Sequence, residues 1–431
     1  MKKLFPILYF LPLFVAAQTT GVKNTDSAKY TSFVKYYTKV IAQNPSDSTA
    51  YYKLGDAKFN LKDYSGSIPD FDRAIKLNPK YEDALIDRGR AKYVLKQNEG
   101  AIADFNQVIA LIPQSSVAYY DRGLVKRQMG DVNGAIADYT RAIAINPQNE
   151  NYFNDRGIAK RQLKDLKGSI EDFDLAVAVN AKNAFPYYNR GNSKYDLNDY
   201  QGAFDDFNQT ILLTPDDPDA YYGRANSIRH LGDSKKSIDD YDKAIALNPK
   251  FLDAYNNRGI AKYNLGDYAG DIADANKVIS IAPNYANAYY NHGLANGKLN
   301  NFNDMVDDFN RYIAFNPKIA DGYLKRGYAK FNLEDYKNSI EDFTLSISLD
   351  NKNALAYYNR GLAKRYLNDY KGALDDYNQS IALDPKYSDA YNNRGYIKHL
   401  LNDDTGACAD FKAAADLGNK YAPENIKKFC K

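Results

Sequence analysis

The residues of this 431-residue chain that could do chemistry stand in series. Arginine occupies nine positions separated by 34 residues or twice that: Arg88, Arg122, Arg156, Arg190, Arg224, Arg258, Arg326, Arg360 and Arg394. Aspartate occupies eleven positions at the same interval, from Asp70, Asp104, Asp138 and Asp172 through Asp206, Asp240, Asp274 and Asp308 to Asp342, Asp376 and Asp410. A guanidinium and a carboxylate can form two parallel charge-assisted hydrogen bonds, and a partly buried pair of this kind specifies register more than it adds stability. The expectation is a ladder of Arg–Asp pairs between neighbouring helices, weighed against acidic or basic tracks for a ligand. A lysine series (Lys58, Lys92, Lys126, Lys160, Lys194, Lys262, Lys330, Lys364, Lys398) has acids close by and reads as a solvated face.

Catalytic and metal-binding patterns are missing from the sequence. It has no phosphate-cradling glycine loop, no nucleophile elbow and no paired histidines at ligand spacing. The three histidines, His230, His292 and His399, lie far apart. The abundant carboxylates fill recurring slots, which argues for structure rather than a single acid–base pair. No enzymatic activity, cofactor or metal is therefore expected. The only cysteines are Cys408 and Cys430, neither with a His or second Cys at ligand spacing. In an oxidising compartment a bridge between them is the simplest reading, closing a loop worth about 3 kcal/mol. The formal net charge is +3 and the charges are interspersed, so the positive stripe that nucleic-acid binding needs is absent from the sequence.

The elements that must position these residues follow from two further series. Glycine recurs every 34 residues from Gly55 to Gly395, broken only by Ala225, and proline recurs at the same period from Pro45 to Pro385, skipping Ala181 and Asn351. In Ala354–Tyr387 the first half sets Tyr357, Gly361, Lys364 and Leu367 on one helix face; Asn368-Asp369 breaks the pattern; Ala373, Leu374, Tyr377 and Ile381 resume it; and Pro385 ends it. Asp369 is suited to cap the second helix. Each unit is a helix, a tight turn and a second helix. A mid-helix glycine costs about 1 kcal/mol against alanine, so its recurrence implies close approach of the paired helix, whose facing residue is small in most units (Ser67, Ala101, Ala135, Ser169). An aromatic four residues on (Phe71, Phe105, Tyr139, Phe173) fills the wedge beside the crossing.

A large aromatic, Gly four residues later, then small, aromatic, small and Pro at a 34-residue period resembles the tetratricopeptide repeat. Eleven units in register, residues 48–81 through 388–421, carry the resemblance over most of the chain. It implies an all-α fold, an α-solenoid of eleven helix-turn-helix repeats forming a right-handed superhelix. Two departures stand out. The first aromatic is Tyr in nine units and the chain has no Trp; and the position before the glycine, apolar in the family, is usually Arg. In the seventh and eighth units Asp271, Ala275, His292, Gly297, Met305 and Tyr312 depart from the pattern. Loss of the aromatic at Ala275 predicts a void that Met305 fills by local repacking.

The ends read differently. Residues 1–17, with Lys2-Lys3, an apolar run Leu4–Phe14 and Val15-Ala16-Ala17, have the form of a secretory signal peptide cleaved near Ala17. Residues 18–47 are expected to supply a capping helix over Ser27–Pro45, and residues 422–431 a second one. No other stretch is long or apolar enough to span a bilayer. The protein is thus expected to be exported, periplasmic or secreted, in a bacterium.

The resemblance further implies that first helices line a concave surface where partners bind. The inward positions of each first helix are then the second, fifth, sixth, ninth, twelfth and thirteenth. The fifth gives Tyr52, Tyr120, Tyr188, Tyr222, Tyr290 and Tyr358; the twelfth gives Arg127, Arg161, Arg229 and Arg365; the sixth and ninth give Asn189, Asn192 and Asn226. Tyr and Arg are frequent interface anchors, and the set suits an extended peptide or a sugar chain. Some of the tyrosines are expected to pack against neighbouring helices instead. The family's Lys/Asn clamp for a terminal carboxylate is not matched. The reading is a non-catalytic scaffold of the bacterial envelope that binds a protein or peptide partner, with carbohydrate or envelope-polymer binding as the alternative.

Overall fold

The computed structural model describes residues 24–430. Within them the chain forms 24 helices and no strand. Eleven consecutive pairs, from Ser48–Asn60 with Tyr64–Leu77 to Ser388–Leu400 with Asp404–Asp416, follow a helix Asn24–Gln43 and precede a helix Ala422–Phe429. Residues 1–17, read as a signal peptide, lie outside the described residues.

The local chemistry that makes each pair is the same from repeat to repeat. In the first repeat the Asp63 amide donates to the Lys58 carbonyl and the Lys62 amide to the Phe59 carbonyl, both at 2.9 Å. These two bonds, closed by Lys62 at φ 65°, are the Schellman arrangement that satisfies the last carbonyls of a helix. Asp63 then turns round and caps the next helix, its Oδ1 accepting from the Gly66 amide at 2.9 Å. Asp131, Asp165, Asp199, Asp267, Asp369 and Asp403 do the same in their repeats. The residue in the left-handed region is glycine at Gly130, Gly232 and Gly266 and Lys, Asn or Glu elsewhere. Three residues thus reverse the chain with its amides and carbonyls largely satisfied.

The chain divides into two compact units, Met1–Ser227 and Ile228–Lys431. The first, as described, contains the helix Asn24–Gln43 and the first five repeats; the second contains the seventh to eleventh repeats and the helix Ala422–Phe429. In each unit the core is a row of rings, one per second helix except in the seventh repeat, among them Phe71, Phe105, Tyr139, Phe173 and Phe207 in the first and Phe309, Phe343, Tyr377 and Phe411 in the second, all buried. The recurring glycine exists to clear these rings. A Cβ on Gly157 would stand 2.7 Å from Phe173 Cε1, and one on Gly55 would stand 2.7 Å from Phe71 Cε1. The contact that demands glycine is thus mainly the aromatic face; the small-residue position joins it in the last repeat, where a Cβ on Gly395 would stand 3.1 Å from the Ala407 carbonyl oxygen.

The seventh repeat corrects a second expectation. With alanine at 275 in place of the ring, Met305 does not move in; it packs with Phe309, Tyr312 and Leu294 inside the eighth repeat. Gly297, whose Cβ would lie 2.7 Å from Met305 Sδ, makes room for it, and Gly322 makes room for Tyr312 at 3.0 Å. The space against Gly259 is taken instead by the carboxylate of Asp271.

Candidate partner-binding face

The Arg–Asp ladder is present, each rung lying inside one repeat. Arg156 donates from Nε to Asp172 Oδ2 at 3.0 Å and from Nη2 to Oδ1 at 2.6 Å, a two-pronged bond across the paired helices. Its Nη1 reaches back to Thr140 of the preceding repeat at 3.2 Å, and its guanidinium lies 5.9 Å from the Phe153 ring centre. Arg88, Arg122, Arg190, Arg258, Arg326, Arg360 and Arg394 make the same fork with Asp104, Asp138, Asp206, Asp274, Asp342, Asp376 and Asp410.

The lysine series is a correction. Lys160 Nζ lies 2.9 Å from Asp172 Oδ2, and Lys92, Lys126, Lys194, Lys262, Lys330, Lys364 and Lys398 meet the corresponding aspartates in the same way. These lysines lie one helical turn after the arginine, so both cations converge on one buried carboxylate. A single aspartate with four lone-pair sites accommodates both. In the eighth repeat His292 and Asn296 replace the two cations; His292 Nδ1 lies 2.7 Å from Asp308 Oδ2 and Asn296 donates to the same oxygen at 3.0 Å.

The tyrosines proposed as partner contacts are mostly engaged. Tyr52, Tyr120, Tyr188, Tyr290 and Tyr358 each lie against the core ring of their own repeat, with centroids 5.7 to 6.0 Å apart. Their hydroxyls tie successive repeats together: Tyr52 donates to Asp87 at 3.1 Å, Tyr120 to Asp155 at 2.6 Å and Tyr290 to Asp321 at 2.7 Å, while Tyr358 accepts from Asn393 at 3.1 Å. Tyr188 pairs with Asn192. Burial, then the charge of Asp389, pushes the Tyr358 hydroxyl up to about 12. Tyr222 is half-buried, while Tyr120, Asn192 and Asn226 are buried and do not lie on an open surface. The fifth position faces the core ring, and the ninth faces into the stack in these repeats, because a helix that packs on both sides leaves only a narrow free stripe. Asn189 is half-buried and bonded to Asn154 at 3.1 Å.

The arginines at the twelfth position also reach forward one repeat. Arg161 bonds Asp196 at 2.8 Å, Arg365 bonds Asn393 at 3.0 Å and Arg127 approaches Asp155 at 3.4 Å. Arg229 lies beside His230, 3.2 Å away. What the sequence reading missed is the acid at the sixth position: Asp87, Asp121 and Asp155, spaced 34 apart in the second to fourth repeats. Arg90 bridges Asp87 at 3.2 Å and Asp121 at 2.7 Å. Burial lifts the Asp87 carboxyl to about 6, with Arg90 pulling the other way. The recurrence of Asp at 34 residues was the available signal.

The open part of the face is aromatic and uneven. Phe185, Tyr328 and Tyr366 are exposed at 38%, 44% and 50%. Tyr366 stacks on Tyr336 with centroids 4.8 Å apart and planes 11° off parallel. Arg365 lies 5.0 Å from the Tyr366 ring centre and 5.7 Å from that of Tyr396. Phe185 and Tyr188 line a cleft of about 500 Å³ with Thr210, Thr214 and Asp217. Among the described residues no group of three or more His, Cys, Asp or Glu could hold a metal ion, and no helix is long and apolar enough to cross a membrane. At the far end Cys408 and Cys430 are brought together, their Cα atoms 5.6 Å apart, within the span a disulfide bridges.

Family models described as tetratricopeptide repeat match residues 116–149 and 354–387, residues 34–82 and 52–116, and residues 252–285, 286–319 and 320–353. One described as TPR repeat matches residues 225–266, and together the matches cover more than half of the chain. No curated protein sequence matches it. Among solved structures it is similar to a chain of the APC/C hetero-tetramer Cut9-Hcn1, at 12% identity over 97% of this chain and 98% of that one, with a TM-score of 0.48. A MamA protein is 26% identical over 41% of this chain and 96% of that one, with a TM-score of 0.38. A tetratricopeptide repeat protein from Parabacteroides merdae ATCC 43184 is 18% identical over 57% of this chain and 98% of that one, with a TM-score of 0.44. No functional assignment comes from these likenesses.

Proposed function

This chain belongs to the tetratricopeptide repeat family, and from that premise we propose that it is a non-catalytic scaffold of the bacterial cell envelope that binds a protein or peptide partner on its first-helix face. One observation carries the reading. The charges that recur in nearly every repeat are consumed in internal pairs, as at Arg156, Lys160 and Asp172. What remains outward on the first helices differs from repeat to repeat, which is the pattern of a surface selected for one particular partner. Tyr328, Tyr366 and Arg365 are of the residue types that dominate interfaces, and Arg365 lies over the Tyr366 ring. Crosslinking in intact cells followed by mass spectrometry is expected to recover a defined protein attached through the first helices. Recovery of no protein at all would overturn the scaffold reading.

The exposed Tyr366, stacked on the half-buried Tyr336, favours a second reading, a glycan or envelope polymer lying on aromatic faces. Soluble glycans would then quench tyrosine fluorescence, and the effect would vanish in Tyr366→Ala.

Export is supported by the basic and apolar start Lys2–Phe14 and by the cysteine pair, a combination suited to an oxidising compartment. We expect no free thiol in unreduced protein. Cys430→Ser should weaken docking of the helix Ala422–Phe429, whose Phe429 stacks on Phe411, by about 3 kcal/mol. Two reactive thiols in unreduced protein would refute the bridge.

A further inference from the structure

The seventh repeat, residues 252–285, is polar where the others are apolar. Its fifth position is Asn256, where six repeats have tyrosine; its core ring is replaced by Ala275; and Asp271 stands where nine repeats have Ala or Ser. Asn256 is buried, donating to Asn257 Oδ1 at 3.0 Å and accepting from Asn291 Nδ2 at 2.9 Å. Asp271 has no comparable satisfaction. The residue is 2% exposed, and among the described residues its carboxylate accepts no hydrogen bond. It faces a pocket of about 240 Å³ between the first helices of the seventh and eighth repeats, walled by Ile260, Tyr263, Asn264, Asn291 and Leu294.

Lone buried carboxylates are costly, and this one is not neutralised by its surroundings. Lys262 and Arg258 are both committed to Asp274. His292, from the next repeat, is held by Asp308. Asp274 and Asp267 add negative charge beside it. Burial, and then Asp274, raises the Asp271 carboxyl to about 7, with His292 and Lys262 pulling against that shift. The pocket therefore presents an acceptor that lacks a donor and, above about pH 7, a negative charge with no ion-pair partner.

We propose that this pocket receives a primary ammonium group, the side chain of a lysine in the partner, with Asp271 as its counter-ion. An ammonium carries three donors and no acceptor, which matches a carboxylate and the Asn264 amide oxygen. The Tyr263 ring supplies a wall that attracts a cation. Ile260 and Leu294 suit the methylene stem that leads to the charged head. An anionic ligand group is repelled by Asp271, and a metal ion finds no cluster of three ligating side chains among the described residues. The inference rests on the first-helix face being the partner-binding face, since the pocket opens between two of those helices.

The test uses the blocked tripeptide Ac-Gly-Lys-Gly-NH2, titrated into the full chain with the side-chain amide signals of Asn264 and Asn291 followed by NMR at pH 8. Saturable shifts are expected. Affinity should fall at least tenfold in Asp271→Ala and at least tenfold in the natural protein at pH 5.5, where Asp271 is protonated. Alanine occupies this position in five other repeats, so the variant is expected to fold, and an unchanged far-UV spectrum and melting curve verify that. The norleucine analogue of the tripeptide should give no saturable shift. The proposal is overturned by equal affinity in Asp271→Ala, by equal binding of the norleucine peptide, or by absence of saturation at pH 8. Equal or tighter binding of n-butylamine overturns it in favour of a free amine. Crosslinked partner with no tripeptide binding sinks this pocket assignment alone, whereas failure of the scaffold reading appears as tripeptide binding with no partner recovered.

Discussion

Asp172→Ala is expected to cost about 3 kcal/mol, the lower end of what breaking a buried ion pair costs. Asp172 is 1% exposed and holds Arg156 at 2.6 Å and Lys160 at 2.9 Å. Its removal leaves two cations one turn apart on the same helix, both without their counter-charge. The figure sits at the lower end because both cations are partly open, at 15% and 21%, and water can share the load. Arg156→Ala should cost clearly less, since Lys160 still neutralises the aspartate. Because a stack of repeats couples mainly through nearest neighbours, the loss should appear as faster amide exchange in the third to fifth repeats, beside a lower urea midpoint. A midpoint unchanged for Asp172→Ala would mean that the ladder does not hold the repeats in register.

Phe173→Ala should be at least as damaging, at about 3–5 kcal/mol, because a fully buried ring is replaced by a cavity that rigid helices cannot collapse. The glycine beside it supplies a sharper check. Gly157→Ala alone should destabilise: its Cβ would stand 2.7 Å from the Phe173 ring, and overpacking of this kind costs about 1–3 kcal/mol. In the Phe173→Ala background the same change should become favourable, since the ring is gone and alanine is preferred in a helix by about 1 kcal/mol. Urea melts of the four proteins give the coupling energy directly. Additive costs would show that glycine and ring do not share one constraint.

Both expectations depend on residues that were readable as a pair before any coordinates. The 34-residue recurrence of Arg156 with Asp172, and of Gly157 with Phe173, placed them at the same helix crossing. The turn was equally readable: Asp369 was the obvious cap, and its Oδ1 accepts the Gly372 amide at 2.9 Å. Less readable was where long side chains end. Lys160 sits on a helix face near acids, so its ammonium could lie in water or on Asp172; a four-carbon stem reaches either. Tyr120 was assigned to an open surface from its position on the first helix, yet it is buried against Tyr139 and Tyr152. Ala275 signalled a void, but whether Met305 or Asp271 filled it depended on which side chain was nearer.

By itself the sequence determined the helix pairs, their turns and the steric rule that sets a glycine under each ring, because these follow from contacts between residues a few positions or one repeat apart. Local periodicity carries that information in full. Only the tertiary structure decided which polar groups are spent on holding the repeats and which are left over. Pairing of a side chain depends on distances between helices, and those are set by packing of the whole stack rather than by the residue's own neighbours in the chain. That is why Lys160 and Tyr120 passed from candidate surface to internal support, and why Asp271, one aspartate among many in the sequence, emerged as the buried carboxylate in this pocket that accepts no hydrogen bond from the described residues.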